Sequence, residues 1–269
     1  MSEHLIETFD QGVATLTMNR PDARNAMSGD MMGAMGEAIP RLAEDPKVRA
    51  VVLTGTGGAF CAGGDVKGFA SDARGSGGGG EPVTVEQRAA GLRAGTRISE
   101  ILYEMPKPTL AVIPGACAGA GLSLALACDM RMVLDTAKIT TAFSKIAASG
   151  DYGGSWFLTQ LVGSAKAREL YFTADIISGT EAYQLGLANK LVTAETIEEE
   201  SLAYARYLAS LPTIAIGYIK KNLNMAHKGS LGEVLDMESE HMVRSMMTED
   251  HKAAAIAFVE KKAPEFNGN

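Results

Sequence analysis

The chain is poor in the residues that carry metal and thiol chemistry: of 269 residues only 3 are Cys, 4 His and 1 Trp. Cys61, Cys117 and Cys128 show no CxxC spacing, and an odd number cannot all pair within the chain. His4, His227, His241 and His251 fall outside both glycine-rich stretches of the chain, so neither a zinc site nor a Cys–His nucleophile pair is expected. A reducing, cytosolic setting suits this usage. Basic charge is also short, with 25 Lys and Arg against 32 Asp and Glu and a net charge of −7. Together with the lack of a long basic run, this argues against a nucleic-acid surface. No apolar run approaches the roughly 20 residues of a membrane helix. The start, MSEHLIETFDQG, has neither the basic opening nor the apolar core of a signal peptide. A cytoplasmic protein with no nucleic-acid and no membrane partner is the expectation.

Glycine is abundant, at 30 residues, and seven of them mark two stretches: GGAFCAGGD at Gly57–Asp65 and PGACAGAG at Pro114–Gly121. Each follows a β-rich run, Val51–Thr54 and Leu110–Ile113. Residues with little or no side chain let backbone N–H groups approach a ligand, and a strand that turns into a helix aims unpaired amides at one point. Two such points on one chain point to a two-donor cradle for developing negative charge, although each alone also reads as an ordinary turn from strand to helix.

Along the chain, His4–Asp10 and Val13–Asn19 read as a hairpin around Gln11-Gly12. Ser28 is placed to cap a helix with Met31, Met35, Ile39 and Leu42 on one face. Strand and helix then alternate through Arg49–Thr54, Thr109–Ile113, Gly119–Cys128, Met130–Leu134 and a helix from Gly154, which predicts an α/β fold of repeated strand–strand–helix units. Helices are predicted over Glu195–Ser210, Thr213–Ala226, Leu231–Met246 and Glu249–Lys262. The division expected is residues 1–195 as core and 196–269 as a helical C-terminal region. Ser71–Pro82, with four consecutive glycines, reads as a mobile loop that is either a lid or a tolerated insertion.

These residues resemble the crotonase (enoyl-CoA hydratase/isomerase) superfamily along nearly the whole chain. The resemblance is carried by Asn19-Arg20-Pro21 with Asn25-Ala26, AFCAGGD at Ala59–Asp65, and PGACAGAGLSLALACD at Pro114–Asp129. It continues through Phe143-Ser144-Lys145, GDYGG at Gly150–Gly154 and AFVEKK near the C-terminus. It implies a spiral of ββα units, a helical C-terminal trimerisation region, an acyl-CoA thioester substrate, no separate cofactor or metal, and a homotrimer or a hexamer of two trimers. It also implies that the backbone N–H groups of Gly64 and Ala120 form the oxyanion hole.

Hydratases of this family use two glutamates, and the matching positions here hold Ser123 and Phe143. The carboxylate that remains is Asp151, which matches the catalytic aspartate of family isomerases, most closely those of the phenylacetate route. The resemblance therefore implies double-bond migration through one Asp. Its alternative role is as N-cap of a helix beginning near Tyr152. An apolar pocket of Phe143, Trp156 and Phe69 would raise the Asp151 pKa. Ser123 reads as a substrate contact or as a small residue in a close-packed helix, and Asp65 and Asp129 as structural residues.

For coenzyme A the resemblance points to Ala62–Lys67, which includes Ala62, Asp65 and Lys67, to Arg24, and to Phe258 and Lys261 reaching across to a neighbouring subunit. Lys262 could replace Lys261. Competing readings are a hydratase with another acid/base, a nucleophilic aspartate, and a non-catalytic CoA-binding or scaffolding member.

Overall fold

Pairs of strands, one long and one short, divide between two sheets, and this division builds the molecule. The structure is a computed structural model describing residues 2–65 and 83–269, so Lys67, Phe69 and the Ser71–Pro82 segment lie outside the described residues. The larger sheet orders β1 (Leu5–Asp10), β2 (Val13–Met18), β3 (Ala50–Gly55), β5 (Thr109–Ile113), β7 (Met130–Leu134) and β10 (Lys190–Val192). Only β1–β2 is antiparallel there. The smaller sheet orders β4 (Ala59–Cys61), β6 (Ala116–Ala118), β8 (Lys138–Thr140) and β9 (Ile177–Ser178). Thus β3, β5 and β7 each send the next strand, β4, β6 or β8, into the second sheet; helices return the chain directly to β5 and β7, whereas after β8 it passes through β9 before reaching β10.

The helices in order are α1 (Gly29–Glu44), α2 (Val85–Gly95), α3 (Arg97–Glu104), α4 (Ala120–Ala127), α5 (Gly154–Thr173) and α6 (Gly179–Gln184). After β10 come α7 (Ile197–Ser210), α8 (Thr213–Ala226), α9 (Leu231–Met246) and α10 (Glu249–Glu260). No described helix is long and apolar enough to cross a membrane.

Strand alternation explains how the main sheet is buried on both faces, as parallel sheets must be. On β3, Val51 and Leu53 enter the main core with Met31, Met35, Ile39 and Leu42 of α1. Ala50 and Val52 face a second core with Val13, Leu110, Val112 and Ala205 and Leu208 of α7. The expected α1 stripe and cap are both present: Ser28 Oγ accepts from Met31 N at 3.2 Å.

The short strands bring the two glycine-rich stretches together, because β4 and β6 are parallel, with Cys61 opposite Cys117. Their backbones approach so closely that a β-carbon on Gly115 would overlap the Gly58 carbonyl oxygen. Buried polar groups hold the frame beneath them. Asn25 accepts from Arg20 N at 2.8 Å and donates to the Thr56 and Ala59 carbonyls at 2.9 Å each. Asp129 has the structural role expected of it, accepting through Oδ2 from Thr109 N and from Lys220 Nζ, both at 2.8 Å.

Candidate active site

Both cradles end at the same edge of the smaller sheet. After β4 the chain passes Ala62, Gly63 and Gly64; after β6 it passes Gly119 into α4, which begins at Ala120. Gly119 has φ 53° and ψ −126°, a conformation that requires glycine. A β-carbon on Gly63 would lie 2.9 Å from the Ala118 carbonyl oxygen and 3.5 Å from Ala120 N, so the loops touch where their amides emerge. The first loop is braced from outside: Met27 N donates to the Gly63 carbonyl and Ala62 N to the Arg24 carbonyl, each at 2.9 Å. Met27 and Gly64 form a parallel bridge. Among the described residues the N–H groups of Gly64 and Ala120 have no acceptor. For Ala120 this follows from its place as first residue of α4, where amides have no partner within the helix.

The loop before α5 supplies the carboxylate. Gly150 (φ 107°), Tyr152 (φ 52°) and Gly153 (φ 77°) all lie in the left-handed region, and Tyr152 is there without being glycine. Three such residues around one Asp make a tight turn in which the Asp151 side chain points inward. Its Oδ1 is buried with no hydrogen-bond partner. The N-cap role is thereby corrected: α5 starts at Gly154, its cap is Gly153, and no side chain caps it. Burial raises the Asp151 pKa above the ordinary carboxylate value, because the charged form loses its water and gains no cation in return.

The groups around Asp151 are neutral. Burial and the Asp151 charge push both Tyr152 and Tyr171 up to about 12. Cys61, next to Tyr152, is pushed up to about 11 by burial, opposed by a bond from Gly63 N at 3.4 Å. Phe143 forms an apolar wall between cradle and carboxylate. Its ring lies 3.9 Å from where a β-carbon on Gly119 would be and 3.6 Å from one on Gly150. Phe143 is buried and stacks on Tyr171, ring centroids 6.0 Å apart at 4°.

Ser123 lies inside α4, every residue of which is buried. Its Oγ donates to the Gly119 carbonyl at 3.3 Å and sits against Gly154, matching the close-packing reading. Asp65 approaches Arg20, Oδ2 to Nη1 at 3.5 Å, as an anchor of the first loop.

Trp156 packs into a cluster of aromatic rings. It packs edge-on to Tyr103 at 5.2 Å and to Phe157 at 5.1 Å and lies 6.1 Å from His227. These residues line a separate cavity of about 410 Å³ that also takes in Ile219 and Leu223 of α8. Two residues into α5, the helix has already turned this side chain away from the loop toward α8.

Arg24 is exposed beside the first cradle, while Phe258 is 86 % exposed on α10 and Lys261 forms its left-handed C-cap. Lys262 is paired with Glu260 at 2.8 Å, and Lys261 has no carboxylate partner among the described residues. No group of His, Cys, Asp and Glu among the described residues is arranged to hold a metal ion.

Tyr152 and Tyr171 are neighbours of the carboxylate that the sequence did not single out, and Cys61 lies behind Tyr152. Only Tyr152 had a signal, lying inside the GDYGG run. Close packing between the cradles also gives a stability test. A β-carbon on Gly121 would lie 2.6 Å from both Cβ and the carbonyl oxygen of Cys61. Gly121→Ala is therefore expected to cost about 1–3 kcal/mol, read by denaturant unfolding.

Residues 8–269 match the family model described as enoyl-CoA hydratase/isomerase. The 1,2-epoxyphenylacetyl-CoA isomerase of Escherichia coli (strain K12) is 32% identical over 271 residues, covering 100% of both chains. The short-chain-enoyl-CoA hydratase of Clostridium acetobutylicum is also 32% identical, over 94% of this chain and 93% of its own. A solved structure of a putative enoyl-CoA hydratase/isomerase from Mycobacterium abscessus superposes with a TM-score of 0.90 at 31% identity, covering 98% of this chain and 100% of that one.

Proposed function

The chain belongs to the enoyl-CoA hydratase/isomerase family, and from that premise we propose that it moves a double bond in an enoyl-CoA thioester by proton transfer through Asp151. The thioester carbonyl oxygen accepts from the N–H groups of Gly64 and Ala120. An ionised Asp151 oxygen takes a proton from the acyl chain, the electron pair moves into a dienolate whose negative oxygen the two amides hold, and the same carboxyl returns the proton to another carbon of the chain. No atom is lost and no second acid is needed. Backbone donors suit this task because they are fixed before charge develops on the oxygen.

One observation carries the reading: a buried carboxyl oxygen without a partner, on a strained turn, beside a two-amide cradle. A carboxylate stripped of water and of hydrogen bonds is a stronger base than an exposed one. The family's two-glutamate positions hold Ser123 and Phe143, which can neither take up nor deliver a carboxyl proton. Coenzyme A then enters as part of the substrate, along Ala62 and Asp65 toward Arg24. Phe258 and Lys261 serve a neighbouring subunit, Lys261 as a point charge for phosphate. The exposed apolar residues of the last two helices, among them Leu231, Met242, Met246 and Val259, support assembly as a trimer or a dimer of trimers.

The pH dependence follows from the sign of the Asp151 shift. The base works only when ionised, so kcat/KM is expected to rise with pH through an apparent pKa above the ordinary carboxylate value of about 3.9. That acid limb should be missing from the residual activity of Asp151→Asn.

The deciding experiment incubates the protein in D₂O with 3-enoyl-CoA and 2-enoyl-CoA thioesters and follows label and double-bond position by NMR. Migration of the double bond with deuterium at the α or γ carbon, lost in Asp151→Asn, is the expected result. Formation of 3-hydroxyacyl-CoA that survives the same substitution would replace this reading with a hydratase.

A further inference from the structure

The loop that carries Asp151 has glycine at both ends, and one side chain packs against both, although Gly150 is already glycine-requiring by its φ of 107°. A β-carbon on Gly150 would lie 3.2 Å from Cε1 of Tyr171, and one on Gly154 would lie 2.5 Å from its hydroxyl oxygen and overlap Ser123 Oγ. Gly154 has no positive φ, so its backbone conformation does not call for glycine. The two hydroxyls converge on the point where its side chain would be. In an unbroken helix, residues 154 and 171 would stand about 25 Å apart along the axis. The helix breaks at Gly163 (φ 74°, ψ 164°), and its second half brings Tyr171 back to the loop where the first half began. The Tyr171 ring is fixed from the other side by the stack on Phe143.

Proton transfer through Asp151 makes no direct use of Tyr171. We propose that Tyr171, paired with Ser123, is a positioning residue that fixes the Gly150–Gly154 loop and so holds the Asp151 carboxyl in place against the cradle. The proposal rests on the reading of Asp151 as the base. The ring excludes water from one side of the carboxyl, and the hydroxyl ties α5 to α4, the helix whose first amide is half of the cradle. The titratable groups facing Asp151 are then Tyr152 from its own loop and Tyr171 from α5, with Cys61 of β4 behind Tyr152. All three are neutral at physiological pH, so they shape the site by contact and solvent exclusion and not by charge.

Three variants test this. Tyr171→Phe keeps the ring and removes the hydroxyl, and is expected to lower kcat about tenfold with KM unchanged. Tyr171→Leu also removes the ring and should let water reach Asp151. The carboxyl resonance of ¹³C-labelled Asp151, identified by its absence in Asp151→Asn, should then titrate at lower pH than in the parent protein. It should stay in place in Tyr171→Phe. If the hydroxyls act as a pair, Tyr171→Phe combined with Ser123→Ala is no slower than the worse single variant.

An unchanged kcat in Tyr171→Phe, fully additive losses in the double variant, or an Asp151 resonance that titrates identically in Tyr171→Leu would each overturn the proposal. Because the resonance is read without turnover, it reports on Tyr171 even if Asp151→Asn proves active. Failure of the positioning role and failure of the catalytic reading are therefore separable.

Discussion

Asp151→Asn is expected to lower kcat by about 10²–10⁴-fold while acyl-CoA binding is retained, since the amide keeps the shape and cannot take the proton. The same substitution should make the fold more stable at neutral pH. Burial raises the pKa of Asp151 in the folded chain, so the folded state binds its proton more tightly than the unfolded chain does. The contribution of this group to stability is therefore full below the unfolded value of about 3.9 and is lost as pH rises through the raised folded value. At neutral pH the ionised, unpartnered oxygen is a net cost, which Asn removes.

Thermal midpoints of the two proteins should accordingly differ at pH 7, with the variant higher, and converge near pH 3. A variant that is inactive and less stable at pH 7 would mean that the carboxylate holds the loop together and is not a base kept under strain. Retained turnover at the parent rate would end the Asp151 mechanism.

The long elements of this fold were legible because their signals repeat. Met31, Met35, Ile39 and Leu42 recur at helical spacing behind the cap Ser28, and α1 forms where that pattern runs. Strands Thr109–Ile113 and Met130–Leu134 and helices Thr213–Ala226 and Leu231–Met246 have the bounds their patterns imply. The short elements left no such trace. Ala59–Cys61 and Ala116–Ala118 have three residues each, too few for alternation to register, and both are embedded in glycine-rich runs that read as turns. Yet their pairing is what places the two cradles side by side. Helices α2 and α3 went unread as well. The first, Val85–Gly95, has no buried residue and hence no apolar stripe to find.

The site divides in the same way. Gly64, Ala120 and Asp151 stand out in the sequence because small residues and a lone carboxylate occupy motif positions, although the role proposed for the first two lies in backbone atoms that no side chain announces. The wall around Asp151 could not be found by proximity in sequence. Tyr171 is twenty residues downstream of Asp151, and only the break in α5 at Gly163 returns its hydroxyl to Gly154. Trp156, five residues from Asp151 in sequence, lines the cavity against α8.

The cradle itself is open to a test that leaves the side chains around Asp151 untouched. Ala120→Pro removes one N–H at the first position of α4, where proline is tolerated because that amide has no partner within the helix. Gly119 before it has no β-carbon to collide with the proline ring. The bond from Ser123 N to the Gly119 carbonyl at 3.0 Å, which closes the first turn, is unaffected. Loss of one donor to a developing oxyanion costs about 2.7–4 kcal/mol in the barrier, so kcat should fall by about 10²–10³-fold. The proline Cδ also stands where the amide hydrogen was, so the thioester oxygen can no longer approach to bonding distance, and the loss should appear in kcat and in KM together. Full activity in this variant would mean that Ala120 N–H is not a donor to the thioester oxygen. An unchanged thermal midpoint establishes that the helix has formed, and with it that the rate reports on the donor.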